Sequence, residues 1–371
     1  GLDSTVVLSL ASRHRSRGVQ SFAVGLTKDA GLDETGPAAE TAALLGSSLA
    51  SISMDSRAIA EAYPELTAAV EAPVLDTSCA CMMRLASTAH EHGFKVVLTG
   101  EGADEALAGY PWFKAGKLID FAPRAVSDWF TRSILRVLGA VPTRPQPIRT
   151  AQQTMFDLAG ACRSHFYSRG MWDLIDGYLA HDDMGIDWNR LRRWHPLNRS
   201  LYIGYKATLA GMQLFSKGDR VTMHSSVEAR YPYLDEDFVQ FCAGIAPEYK
   251  LRGFTEKWIL RDLAARTLPP SIARRPKTMF RARLVNTFFG GHRPRWIDQL
   301  LSPESLRAVG WFDPGVVARA AKREFGIRRA MLDFGLTNVV AVQLWHHVWC
   351  GGNLCDLPVW SAPSLAASVN R

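Results

Sequence analysis

Along the first hundred residues the spacing of apolar positions changes period repeatedly, and each change marks an element. Residues 5–14 place Val6 and Leu10 on one face of a helical repeat, and residues 19–26 run as a strand through Phe22-Ala23-Val24-Gly25-Leu26. An Ala-rich helix follows over 37–45, then a short strand over 48–54 and a helix over 59–70 that Pro64 must start or kink. A further helix over 81–92 ends at Gly93, and Lys95-Val96-Val97-Leu98-Thr99-Gly100 has the composition of a buried strand breaking into glycine.

Helix and strand thus alternate, which predicts an α/β fold: a doubly wound parallel sheet with helices on both faces and a ligand crevice beyond the carboxyl ends of its strands. Between 121 and 150 the pattern is interrupted by Pro123, Pro142, Pro145 and Pro147, as in an irregular connector. Beyond Met155 the chain reads as mainly helical, with Trp172, Leu174 and Tyr178 among its apolar positions and loops around Gly185 and Pro196. A buried helix is expected over 201–216, and others over 236–244, 257–266, 316–325 and 338–349. Tyr231-Pro232-Tyr233-Leu234-Asp235 is too interrupted for a central strand and reads as a shaped loop. Trp345, Trp349 and Trp360 are expected in core and helix packing. The division is an α/β core over 1–120 and a mainly helical remainder over 121–371, which has to complete any site the core begins.

Composition narrows the function classes. The hydrophobic share of 47% and charged share of 21% are those of a globular protein, and no apolar run approaches the length of a membrane span. The formal charge of +7 suits a polyanionic ligand, yet no basic run or reader motif points to nucleic acid. The six cysteines match no zinc spacing; reduced, partly buried thiols and a cytoplasmic setting are expected.

The residues with chemistry sit in glycine and proline turns. Gly1-Leu2-Asp3-Ser4 heads an amphipathic segment: Gly1 lets backbone approach an anion closely, and Ser4 and the helix N-terminus offer donors. Asp3 and Ser4 also suit an ordinary helix cap. Gly100-Glu101-Gly102-Ala103-Asp104-Glu105 groups three carboxylates with no balancing base nearby in sequence, which is costly at a crevice unless they meet a cationic ligand or magnesium. If a strand precedes Gly1, the two turns face each other across one crevice. Asp219-Arg220 and Ser226-Val227-Glu228-Ala229-Arg230 mix both signs among apolar residues, as a partly buried ion network does. Arg274-Arg275-Pro276-Lys277-Thr278-Met279-Phe280-Arg281 can clamp phosphates, or can simply be solvated.

Taken together, these segments resemble the synthetase domain of the glutamine-dependent asparagine synthetases, in the ATP-pyrophosphatase (PP-loop) superfamily. Gly1-Leu2-Asp3-Ser4 resembles the last four positions of that family's Ser-Gly-Gly-x-Asp-Ser phosphate loop, and residues 98–110 resemble its [Ser/Thr]-Gly-[Glu/Asp]-Gly-x-Asp-Glu-x-x-x-Gly-Tyr signature. Asp219-Arg220 through Asp235 resembles its Asp-Arg…Val-Glu-x-Arg-x-Pro-[Phe/Leu]-Leu-Asp signature, and Glu256-Lys257, Pro269-Pro270 and Arg275-Pro276-Lys277 follow in the family's order. The resemblance runs from residue 1 to about 281 and implies an adenine nucleotide α-hydrolase-like fold.

It also implies a reaction. ATP activates the aspartate side-chain carboxylate as an acyl-adenylate with loss of pyrophosphate; ammonia from glutamine then attacks, giving asparagine and AMP. On this resemblance Gly1, Leu2, Asp3, Ser4 and Gly100 hold ATP and pyrophosphate, Val24 meets adenine through its backbone, and Lys257 meets phosphate. Lys277 neutralises charge in the adenylation step, while Glu101 orients or deprotonates the amine. Asp104 binds the substrate's α-ammonium, with Glu228 and Arg230 behind it, and Asp3 and Asp104 place magnesium. Glutamate at 101, where related β-lactam synthetases tend to carry tyrosine, favours amidation by ammonia.

Two departures qualify the expectation. Ala72 and Thr77 stand where many members carry Glu and Pro in an Asp-Glu-Pro-x-x-Asp-Pro-Ser segment, which puts part of the amino-acid pocket in question. The first two phosphate-loop positions and an N-terminal glutaminase domain headed by a cysteine are expected upstream of Gly1, so the chain reads as one half of an enzyme. A relative that amidates or cyclises another carboxylate, such as a peptide or antibiotic precursor, is the alternative. Homodimers are suggested by family analogy; no membrane or nucleic-acid partner is expected.

Overall fold

The computed structural model of the chain describes residues 1–15, 18–27, 33–121, 148, 150–178, 182–275, 280, 282–322, 327–352 and 354–357. Most of the expected connector over 121–150 lies outside these residues, as do Lys277 and Trp360.

Helix α1 (Leu2–His14) starts directly behind Gly1, three residues earlier than the apolar pattern predicts. Asp3 therefore stands in the first turn, where a carboxylate suits the free N–H groups, and Thr5 Oγ1 donates to the Gly1 carbonyl at 2.8 Å. Strand β1 (Gln20–Leu26) leads through α2 (Thr35–Leu44) to β2 (Ser48–Met54), and the two strands pair in parallel from Gln20↔Ser48 to Leu26↔Met54. Helix α3 (Ser56–Val70) is capped by Asp55, whose carboxylate accepts from the Ala58 N–H at 2.7 Å. Pro64 lies inside it without ending it, and Ile59, Tyr63, Leu66 and Val70 form the buried stripe. Helix α4 (Ser78–Glu91) also starts three residues early, because the Asp76 carboxylate takes up the Ser78 N–H at 3.0 Å.

The strand before Gly100 differs from expectation. Strand β3 (Val96–Leu98) is short, and Val96 and Leu98 are 38% and 52% exposed rather than buried. It pairs in parallel with β4 (Glu228–Arg230), a strand whose Glu-Ala-Arg composition gives no local hint of extension. Among the described residues the strands form three two-stranded sheets: β1–β2 and β3–β4, both parallel, and the antiparallel hairpin of β5 (Leu251–Arg252) and β6 (Thr255–Glu256). The fold is α/β and rich in helix.

Further along, Pro196 opens a helix rather than a loop. It occupies the first turn of α5 (Pro196–Ile203), where its missing N–H costs nothing, and His195 Nδ1 accepts from the Leu197 N–H at 3.2 Å. The helix expected over 201–216 continues as α6 (Gly204–Asp219), wound wide with the Arg220 N–H bonded back to the Phe215 carbonyl. Such i→i+5 winding is rare and tends to mark functional segments.

Two buried clusters tie the early and late parts of the chain together. One joins Ile59, Tyr63, Leu66 and Val70 of α3 to Trp296, Leu300, Leu344 and Val348. The indole N–H groups of Trp345 and Trp349 donate to the carbonyls of Glu71 and Thr67, consistent with packing. The other joins Leu2 and Val6 of α1 to Ala103 and Leu107 of α7 (Ala103–Leu107), Tyr233, and Leu260 and Ala264 of α8 (Trp258–Ala265). No described helix is long and apolar enough to cross a membrane.

Candidate active site

Burial of Leu2, Ala103 and Leu260 in one cluster brings the starts of three helices to one place. The opening turn and the acidic turn meet there: a Cβ on Gly100 would lie 2.6 Å from the Ser4 nitrogen and 2.8 Å from Ser4 Oγ and Asp3 Cβ. Only glycine permits that approach. Gly102 is held at φ 92, and a Cβ on it would strike Leu234 Cδ2 at 2.3 Å, so it admits the Tyr231–Asp235 turn against the acidic turn. From there the Tyr233 hydroxyl donates to the Asp3 carbonyl at 3.2 Å.

At the junction the Lys257 ammonium is 2.6 Å from Asp3 Oδ1 and 2.5 Å from Asp104 Oδ1. The Lys257 side chain is 2% exposed, and the residue stands in the left-handed region at φ 51, ψ 38, immediately before α8. A non-glycine residue held there is conformationally costly, a pattern that clusters at functional sites. Its N–H donates to the Leu107 carbonyl at 3.1 Å, which fixes the root of the side chain beside α7. Gly109 forms the wall: a Cβ there would come within 1.9 Å of Asp104 Oδ1 and 2.0 Å of Lys257 Cε.

The second carboxylate has its own cation. Lys217 of α6 lies 3.1 Å from Glu101 Oε1, and Thr99 Oγ1 donates to Glu101 Oε2 at 3.1 Å. Burial works against the Lys217 ammonium, but Glu101 and then Asp76 outweigh it and hold its pKa above the usual lysine range. The third carboxylate, Glu105, is fully enclosed. Burial pushes its pKa up to about 7, opposed by the Tyr110 hydroxyl, which donates to Oε1 at 2.5 Å. The three carboxylates thus do have balancing groups; these arrive from about 5 to 150 positions along the chain, where local sequence does not show them.

The structure brings together Gly1, Leu2, Asp3, Ser4, Gly100, Glu101, Asp104 and Lys257. Leu2 contributes packing, as a buried member of the core. Val24 lies mid-strand in β1 opposite Ile52 and packs against the larger core cluster. Glu228 and Arg230 are exposed on β4 and bonded to each other at 2.8 Å, not to the carboxylates of the acidic turn. In place of the partly buried ion network expected around Asp219, the structure shows separate exposed pairs: Arg220 with Glu71 at 2.9 Å, and the Tyr231 hydroxyl donating to Asp219 at 2.9 Å. Lys277 lies outside the described residues. Sequence reasoning missed Lys217, Thr99 and Tyr110; a lone lysine at the end of an apolar helix, two places before Asp219-Arg220, was the available signal for the first.

The asparagine synthase family pattern matches residues 1–347. An amidase, chyE, of Penicillium rubens is 26% identical over 351 residues, covering 84% of this chain and 51% of its own length. A putative glutamine-hydrolysing asparagine synthetase of Mycobacterium tuberculosis is 26% identical over 309 residues, covering 80% and 46%. Glutamine-hydrolysing asparagine synthetase 1 of Bacillus subtilis is 24% identical over 303 residues, covering 76% and 45%. The chain spans about half the length of these curated relatives.

Proposed function

The chain belongs to the asparagine synthase family, and from that premise we propose that it carries the ATP-dependent half of an amide-forming ligase of the asparagine synthase (glutamine-hydrolysing) type. The observation that carries the proposal is the convergence of Asp3 and Asp104 on the buried Lys257 ammonium, with Ser4 packed against Gly100 next to Glu101. In the proposed reaction the aspartate side-chain carboxylate attacks the α-phosphorus of ATP and pyrophosphate leaves. The nitrogen of ammonia, supplied from glutamine by a glutaminase part, then attacks the acyl carbon. The bond from that carbon to the AMP oxygen breaks, and a proton passes to a base.

The residues divide this work by their chemistry. Gly1, Ser4 and the first N–H groups of α1 face the phosphates, with Gly100 keeping the floor clear. Lys257, and Lys277 by family resemblance, offset charge that develops on the phosphates. Glu101 is the proposed proton acceptor: Lys217 and Thr99 each occupy one of its oxygens, and each oxygen retains a free acceptor direction for an amine N–H. Asp104 takes the α-ammonium or the metal. Glu228 and Arg230 are proposed to act through the β3–β4 pairing, which places the Thr99 end of β3, rather than by contact.

Magnesium fits the pair Asp3 and Asp104. Their oxygens already converge on a buried cation, the Lys257 ammonium, and hard carboxylate oxygens suit this ion. Asp3 and Asp104 would hold the ion, which when bound would supply positive charge against the phosphates. We further propose that β1–β2 and β3–β4 belong to one doubly wound sheet, that the 1–120 and 121–371 parts act as a single catalytic unit in the cytoplasm, and that the unit can dimerise.

A second reading is favoured by specific observations. Similarity to an amidase, and Ala72 and Thr77 beside the Asp76 turn, fit a ligase for another carboxylate, a peptide or secondary-metabolite precursor. ATP–pyrophosphate exchange across candidate acids separates the two. Aspartate-stimulated exchange is expected; exchange with another acid but not with aspartate gives the second reading.

A further inference from the structure

Lys257 occupies a position that the proposed reaction needs twice. Its ammonium sits between Asp3 and Asp104 at 2.6 and 2.5 Å, and phosphates must also reach it. Magnesium is usually held by one or two carboxylates together with phosphate oxygens and water, at shorter range than a lysine. Among the described residues no group of three or more His, Cys, Asp or Glu side chains could form a protein-only cage. Asp3 and Asp104 thus offer only part of a shell, and Lys257 stands within it.

Resting on the ATP-binding reading above, we propose that the Lys257 ammonium holds the seat of the divalent cation in the free protein, so that the cation enters only with nucleotide, whose phosphates draw the lysine away. Two like charges cannot share the space between the two carboxylates. Gly109 closes one side against both Asp104 and the Lys257 stem, so the lysine cannot edge aside and stay paired. The exchange needs little movement. The backbone of Lys257 is fixed by its bond to Leu107 and by Arg261, whose N–H donates to the Lys257 carbonyl at 2.9 Å, so the exchange falls to the four-carbon stem alone. Nucleotide supplies both halves of the change: an acceptor for the ammonium, and the remaining ligands for the metal. Free metal supplies neither. The consequence is ordered loading, which prevents the bare protein from trapping a cation on its catalytic carboxylates.

Manganese is the probe, with protein-bound ion counted by electron paramagnetic resonance in the purified chain. With a non-hydrolysable ATP analogue, one Mn2+ is expected to bind at least thirtyfold more tightly than without it. In Lys257→Met, Mn2+ is expected to bind without nucleotide, at least tenfold more tightly than to the unsubstituted protein, and Asp104→Asn added to that variant should abolish the gain. Equal affinity of the unsubstituted protein for Mn2+ with and without nucleotide overturns the proposal, as does a folded Lys257→Met that gains nothing. Should Lys257→Met not fold, the comparison on the unsubstituted protein decides alone. Binding of the analogue, measured separately by calorimetry, tests the ATP reading: its absence removes that reading, whereas Mn2+ binding to nucleotide-free Lys257→Met addresses the seat itself.

Discussion

Lys217 and Glu101 form a largely buried ion pair, 3.1 Å apart and about one-fifth exposed on each side, between a wide helix and an acidic turn more than a hundred residues away. Breaking a fully buried pair costs about 3–5 kcal/mol, and partial exposure here lowers that to roughly 2. The chemical effect should be larger. Lys217→Met frees Glu101 to turn from the orientation that Thr99 and Lys217 impose, so release of AMP with ammonia as nucleophile should fall by roughly 100-fold, the scale of a general base. Pyrophosphate exchange should fall much less, and Lys217→Arg should recover most of the loss. Equal losses in both half-reactions would show that Lys217 serves adenylation instead.

Tyr110 and Glu105 lie below the site rather than in it. The Tyr110 hydroxyl donates to Glu105 at 2.5 Å, and its ring stacks on Trp112 with centroids 4.2 Å apart. Tyr110→Phe keeps the stack and removes the donor, leaving an enclosed carboxyl group short of a partner. A loss of about 1–3 kcal/mol in urea unfolding is expected, with unchanged slope. A loss under about 0.5 kcal/mol would show that the pair is solvated.

Asp157, on the helix Ala151–Ser164, gives the molecule a pH dependence away from the site. Burial pushes its pKa up to about 6 from an ordinary 3.8. The folded state therefore binds more protons than the unfolded state between those values, and stability falls as pH rises from about 4 to 6. The fall is at most about 3 kcal/mol. Asp157→Asn removes this contribution, so the variant should gain relative to the parent as pH climbs through that window. Thermal melts at pH 4, 5, 6 and 7 check the direction; a difference that does not change with pH excludes Asp157 as its source.

What could be read ahead of the structure follows from the range of the interactions. Elements made by local periodicity were legible: β1, β2, α2 and α3 lie within a few residues of the pattern, because side-chain alternation and turn residues alone specify them. The starts of α1, α3 and α4 each fall three residues ahead of the apolar pattern; at α3 and α4 the Asp55 and Asp76 carboxylates take up N–H groups there, which apolar spacing does not register. Strand β4 could not be read from Glu-Ala-Arg, since its extension comes from pairing with β3 far away in sequence. The site shows the same division. Asp3, Glu101 and Asp104 were marked by their glycine turns, and Lys257 by family order. Lys217 is marked in the sequence only as a lone lysine closing an apolar segment, and its partner Glu101 is known only from the fold.

Gly109 and Gly335 separate a defect of chemistry from a defect of packing. A Cβ on Gly109 would lie 1.9 Å from Asp104 Oδ1 and 2.0 Å from Lys257 Cε; one on Gly335 would lie 2.3 Å from the Cys162 carbonyl oxygen and from the Phe166 ring. Both substitutions to alanine overfill a closed space, and each should cost about 1–3 kcal/mol. Only Gly109→Ala forces apart the Asp104–Lys257 pair, and the end of a flexible lysine yields more readily than the Cys162 backbone. Gly335→Ala should therefore lose the more stability and, below its melting temperature, keep its catalytic rate per folded molecule. Gly109→Ala should lose the less stability and at least 100-fold in ATP–pyrophosphate exchange. Melting curves and exchange rates measured on both variants at one temperature decide the matter. Equal exchange in the two would mean that the Gly109 wall does not shape the nucleotide site.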